Sequence, residues 1–344
     1  MQAQSNLVIA ENVPPPMAVL QMATGYWISR AIYVAARLGI ADLLKDGPMT
    51  CLELAEATAA HPDSLRRLMR ALASLGVFAT DDQYTFGLTP IGTSLQSTGL
   101  GSMRSMVITL GEEHYYAWGE LLHGICSGDP AFNHVYGTDL FSYLERTPAA
   151  RITFNEAMAD ATSLISIAVL GSYDFSRFSK IVEVGGGYGS LIKAILMANP
   201  TVTGVLFDRP QIVQGAGASF SGPELNGRCQ AIGGNFFDSV PEGGDAYILK
   251  NVIHDWDDNH SVAILRNCRR AMVEKGKVLL VEMVMPQTGG ASFQSLMDLN
   301  MLVISKGRER TESEYGQLLD AAGLKITKIV PTLSPYSLIE AVRA

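Results

Sequence analysis

A histidine among acids, a run of glycines and an aspartate closing an apolar stretch are the residues of this chain best suited to chemistry. His254 sits in "LKNVIHDWDD", 249–258. An imidazole, with an ordinary pKa near ~6.5, exchanges protons around neutrality. In "IVEVGGGYGS", 181–190, a β-branched run ends on Gly185, Gly186 and Gly187, and Gly189 follows. Glycine permits the sharp turn and lets a ligand approach backbone that a Cβ would shield. The loop is no complete dinucleotide fingerprint, because its third small position is Ser190. The absence of Gly-Lys-Ser/Thr argues against a nucleotide triphosphate. "GVLFD" ends at Asp208, and an acid at a second strand's tip accepts both hydroxyls of a ribose. "GGNFF", 233–237, adds Asn235 and Phe236, an amide for a purine's edge and a ring for its face. Asp257 and Asp258 precede a helical stretch and read as caps. A metal site from His254, Asp255 and Asp258 is the rival reading, and it lacks a second cluster of ligands.

These residues fall at the ends of short apolar runs: "IVEV", "VTGVLFD", "CQAIGGNFF", "AYILKNVI" and "VLLVEMV". Helical stretches alternate with them, which predicts an α/β, Rossmann-like, doubly wound and largely parallel sheet. Ligands in such sheets lie beyond the carboxyl ends of the strands, which is where His254 and the glycines stand. Residues 17–100 read instead as mostly helical. A helix breaks at Gly39, two short helices follow with the second running from Pro62 to Gly76, and a hairpin turns at Asp81-Asp82. That order predicts a winged helix. Residues 103–172 form a helical connector rich in aromatics, among them Trp118, Phe132, Phe141 and Phe154. The expected domains are therefore 1–102 and 103–344.

Composition bounds the function. The 344 residues are 47% hydrophobic and 17% charged, with a net charge of -8. This is a well-buried globular chain, and its acidic balance argues against nucleic acid. Arg66, Arg67 and Arg70 stand where a winged helix would read DNA, but Glu53, Glu56, Asp63, Asp81 and Asp82 surround them. Solvated charges on a scaffold helix are the expectation. Cys51, Cys126, Cys229 and Cys268 are scattered and read as buried free thiols in a reducing cytoplasm. The first residues carry no basic start followed by an apolar run, so no signal peptide is expected, and Pro14-Pro15-Pro16 reads as a stiff leader. No apolar run approaches the ~18 residues of a membrane span.

Taken together, "VEVGGGYG", "FDRP", "GGNFFDSVP", "LKNVIHDWDD", "VEMVMP", "GRERTESEY" and "FNEAM" resemble the S-adenosylmethionine-dependent O-methyltransferases of the caffeate and hydroxyindole type. The likeness extends to their bacterial relatives acting on aromatic natural products, and runs from about Tyr26 to the C-terminus. It implies a cytoplasmic homodimer joined through the N-terminal domain, with S-adenosylmethionine as methyl donor, S-adenosylhomocysteine as product and no metal. It further implies that the glycine loop, Asp208 and Lys250 hold the cofactor's methionine and ribose parts, and that Phe236 packs on its adenine. His254 becomes the general base, flanked by Glu282 and Glu309. Phe154, Met158 and Met301 line the acceptor pocket. Asn235 departs from the family, which usually has an acid there.

The chemistry implied is methylation of an aromatic hydroxyl, since an aliphatic alcohol is several units less acidic and harder to deprotonate. Two other readings stand beside it. One keeps fold and cofactor for decarboxylation, hydroxylation or a pericyclic step, against which His254, Glu282 and Glu309 argue. The other is a DNA-binding regulator built on the winged helix.

Overall fold

The computed structural model describes residues 13–344 except 83, 221–224, 226 and 288–291, with the side chains of 217–219 and 292 also left aside. The residues before 13, read above for a signal peptide, lie outside that range. The chain forms two compact units, 1–115 and 116–344.

In the first unit the predicted helices appear with their punctuation. Gly25–Arg37 ends before Gly39, whose φ of 67° lies in the left-handed region. Cys51–Thr58 begins with a capping box between Thr50 and Glu53, which satisfies two otherwise orphaned N–H donors. Pro62–Ser74 follows. The apolar faces meet around Ile40, Leu54, Met69, Leu72, Phe78 and Phe86. The hairpin pairs β2 (Phe78–Thr80) with β3 (Thr85–Leu88), and β3 also pairs β1 (Met49–Thr50), a strand too short to leave a period in the sequence. Arg66 is paired with Asp63 at 2.7 Å. Pro15 and Pro16 are no extended leader. They open the helix Pro15–Ala23, where a missing N–H costs nothing.

The second unit is built on a mixed sheet. Its strands are β4 (Lys180–Val184), β5 (Thr203–Asp208), β6 (Cys229–Gly233), β7 (Ala246–Lys250), β8 (Lys277–Met285), β9 (Arg310–Thr311), β10 (Leu324–Pro331) and β11 (Tyr336–Arg343). The order is β10-β11-β8-β7-β4-β5-β6, with β9 beside β8. From β8 to β6 the pairs are parallel; β11 and β10 add an antiparallel edge. One core face gathers Val182, Leu249, Ile264 and Leu280, the other Ile181, Leu191, Ile248 and Leu279. β4 is therefore buried on both sides, with Glu183 buried among its apolar residues. The connector supplies the helices Leu121–Ser127, Ala131–Tyr136, Leu140–Arg146 and Pro148–Ser172. All four cysteines are free; Cys51 and Cys268 are buried but Cys126 is exposed. That expectation fails because Cys126 rides a short helix whose one buried residue is Gly124. Among the described residues no helix is long and apolar enough to cross a membrane.

Candidate active site

Strand order reverses between β5, β4 and β7, and a crevice opens beyond their carboxyl ends at that switch point. It is a cavity of about 220 Å³. Gly185 turns at a φ of +70°, and a Cβ there would lie 2.8 Å from Val252 Cγ2. Asp208 locks the loop: its Oδ2 accepts the N–H of Gly187 at 2.7 Å and its Oδ1 that of Arg209 at 2.7 Å. A carboxylate has about four acceptor sites, so capacity remains for a ligand's hydroxyls. Burial raises the Asp208 pKa, and the two N–H bonds oppose that shift.

Lys250, at the end of β7, has its pKa lowered by burial, with Glu183, Glu282 and Asp255 pulling the other way. Glu183 lies behind Gly186, pushed up to about 8 by burial. Phe236 and Phe237 form a wall, T-shaped with ring centroids 4.8 Å apart. Asn235 turns inward on its own loop, its Oδ1 accepting Phe237 N–H and its Nδ2 donating to Asp238, both at 3.1 Å. Gly185, Gly187, Asp208, Asn235, Phe236, Lys250, Phe154 and Met158 all line the cavity. Met301 is buried on the helix Ser292–Ile304 and is not part of that lining.

His254 stands one layer behind, between Val252 and Asp255 of the wall, on a 3-10 turn, Ile253–Asp255. It is 7% exposed, Glu309 4% and Glu282 not at all. Its Nδ1 lies 2.8 Å from Glu309 Oε1 and 3.8 Å from Glu282 Oε2. Its Nε2, on the opposite side of the ring, is 3.7 Å from Asp255 Oδ1. Burial opposes charge on the imidazole, yet Glu282, Asp255 and Glu309 together hold its pKa well above the ordinary histidine value. Burial likewise raises Glu282. The arrangement can store, accept and stabilise a proton.

The three also present potential metal-ligand atoms within 4.8 Å of one another. This is a different set from His254, Asp255 and Asp258. Asp258 instead accepts from Arg310 at 2.8 Å, while Asp257 caps its helix as expected. Glu282 Oε1 is committed to the N–H groups of Val252 and Ile253, at 3.1 and 2.9 Å.

Several positioning residues escaped sequence reasoning. Arg310 is fully buried and donates to the carbonyls of Ile253 at 3.1 Å and Trp256 at 2.9 Å, clamping both flanks of the histidine turn. Asp298 accepts the Glu309 N–H at 2.9 Å. Asn267 donates to the carbonyls of Phe236 and Phe237, at 2.7 and 3.0 Å. A Cβ on Gly307 would fall 1.7 Å from the His254 carbonyl oxygen. The signal for Gly307 and Arg310 was the quoted "GRERT" itself; Asp298 and Asn267 had none.

Two family models match the chain: an O-methyltransferase domain over residues 118–325 and an O-methyltransferase dimerisation domain over residues 20–98. A phenazine O-methyltransferase of Lysobacter antibioticus is 44% identical over 329 residues, covering 96% of each chain. A phenazine-1-carboxylate N-methyltransferase of Pseudomonas aeruginosa is 36% identical over 340 residues, 99% of each. Among solved structures, the human N-acetylserotonin methyltransferase in complex with S-adenosylmethionine superposes with a TM-score of 0.90. It is 28% identical, and the match covers 98% of this chain and 100% of that one.

Proposed function

The chain belongs to the O-methyltransferase family, and from that premise we propose that it moves a methyl group from S-adenosylmethionine to a hydroxyl of an aromatic small molecule, with His254 as general base. The relatives of this family are S-adenosylmethionine-dependent methyltransferases of aromatic natural products. The crevice fits that cofactor: a glycine cradle that a Cβ would fill, a carboxylate with spare acceptor capacity at Asp208, and the Phe236 ring. Proposed roles are Gly185, Gly187, Asp208 and Lys250 around methionine and ribose, Phe236 and Asn235 at the adenine, and Phe154, Met158 and Met301 toward the acceptor. The proposed setting is a cytoplasmic homodimer, joined through residues 1–102.

When bound, S-adenosylmethionine supplies an electrophilic methyl on a sulfonium. The protein must align an oxygen behind that methyl and remove its proton. A phenol near pKa ~10 and an ordinary imidazole near ~6.5 differ by about 3.5 units, so full proton transfer would cost about 4.8 kcal/mol. The carboxylates around His254 narrow that gap by raising the imidazole's proton affinity. Glu309 holds the neutral ring's proton on Nδ1 and leaves the Nε2 lone pair for the hydroxyl. Nε2 would take up that proton as the hydroxyl oxygen attacks the donor's methyl. The resulting imidazolium stays paired with Glu309, as in the serine hydrolase triad.

The single observation carrying this reading is the 2.8 Å His254–Glu309 pair behind the cavity wall. A ring or amine nitrogen with a free lone pair would need no such base. His254→Ala is expected to lower kcat for a phenolic acceptor by ~10²–10⁴ while S-adenosylhomocysteine still binds in a calorimetric titration. Full turnover in that variant removes His254 as base and favours a nitrogen acceptor.

A further inference from the structure

The connector helix Leu140–Arg146 has no role in the mechanism above, yet Phe141 on it lines the cofactor crevice and Glu145 holds a residue that does. Phe141 and Glu145 are four apart and share a helix face. The Phe141 ring lies against Trp256, centroids 5.8 Å apart and planes 19° from parallel. The Arg209 guanidinium carbon is 5.5 Å from the centre of the same ring. Arg209 donates to Glu145 Oε1 at 2.8 Å, and Gln211 donates to the same oxygen at 3.0 Å. Phe141, Arg209 and Trp256 all line the cavity. Arg209 follows Asp208 on one rim, and Trp256 packs edge-on against Phe237 on the other, at 4.7 Å. Phe141 therefore bridges the two rims.

We propose that this helix is a latch on the cofactor: the Glu145–Arg209 ion pair holds Phe141 across the crevice, and exchange of S-adenosylmethionine for S-adenosylhomocysteine requires the pair to part. The inference rests on the proposed seating of the ribose at Asp208 and the adenine at Phe236. Glu145 and Arg209 act here as positioning residues. Glu145 is 47% and Arg209 30% exposed, so salt reaches the pair and weakens it. An ionic latch must therefore release its ligand faster at high ionic strength, whereas stacking alone would not.

The test is the dissociation rate of S-adenosylhomocysteine from the full-length protein at about 50 mM and about 500 mM salt, a range over which exposed ion pairs are progressively screened. The wild type is expected to release it about three times faster at high salt, in line with one exposed ion pair. Glu145→Gln should release it at the fast rate in both. Phe141→Ala should be faster still and equally insensitive to salt. A Glu145→Gln variant with the wild-type rate and salt slope overturns the latch. The seating fails separately, if Asp208→Asn leaves the affinity for S-adenosylhomocysteine unchanged.

Discussion

His254 has carboxylates on both sides of its ring, Glu309 and Glu282 at Nδ1 and Asp255 at Nε2, and Glu309 is the partner at hydrogen-bond distance. The elevated proton affinity this produces sets a pH dependence whose sign is fixed. In the proposed role of base His254 must be neutral to act, so kcat/KM should rise with pH as it loses its proton. Glu309→Gln keeps an acceptor beside Nδ1 but removes a negative charge, which lowers the imidazole's pKa. The rising limb should move about 1 unit or more toward acid. The plateau should fall ~10–100-fold because the imidazolium loses its carboxylate. A limb that stays put in that variant would show that another group titrates. At this scale the sequence was most legible, because glycine, aspartate and histidine announce their chemistry by type. Asn235 was less so: beside Phe236 it suggested an adenine contact and it lines the cavity, while the bonds of its amide to Phe237 and Asp238 had no signal in the sequence.

The elements explain why Glu309 meets His254 across 55 residues of chain. Glu309 precedes the two-residue β9, which pairs with the end of β8. Its N–H is fixed by Asp298 from the preceding helix, and Gly307 lets the loop lie directly on the His254 backbone. Gly307→Ala places a Cβ where the His254 carbonyl oxygen already is, so the loop must retreat and carry Glu309 with it. A displacement of about 1 Å at a catalytic group can cost ~10²-fold. That is the expected loss in kcat, with S-adenosylhomocysteine affinity changed less than about threefold, because Gly307 does not line the crevice. Equal losses in both would instead mean general unfolding. The sequence showed β4 to β8 through their apolar runs and turn residues. It hid β9, two residues long, and the antiparallel β10 and β11, whose mixed burial leaves no continuous run. "GRERT" marked Arg310 without its role, since the clamp acts on the backbone carbonyls of Ile253 and Trp256, which leave no mark in the sequence.

At the scale of the whole molecule, the first unit presents a helix, Pro15–Ala23, with no buried residue. Met17, Val19, Leu20 and Met22 on it are 49%, 61%, 52% and 55% exposed, and Trp27 on the next helix is 61% exposed. Large apolar side chains exposed together on one short helix suit an interaction site. The dimerisation-domain match over residues 20–98 supports a homodimer, and we propose that this helix joins its two copies. The net charge of -8 also argues against the regulator reading, since phosphates are neutralised by clustered Lys and Arg. Placing a carboxylate in the apolar contact, as in Leu20→Asp, should split the dimer, because an isolated buried charge costs far more than a methyl-sized defect. Light scattering across a dilution series should then report about half the wild-type mass. The first unit should keep its helical circular-dichroism signal, since Leu20 is absent from the core built on Leu54, Met69 and Phe86. A Leu20→Asp protein that remains a dimer at every dilution would move the interface elsewhere on the molecule. A protein that loses helical signal would mean that Pro15–Ala23 supports the fold of its own chain.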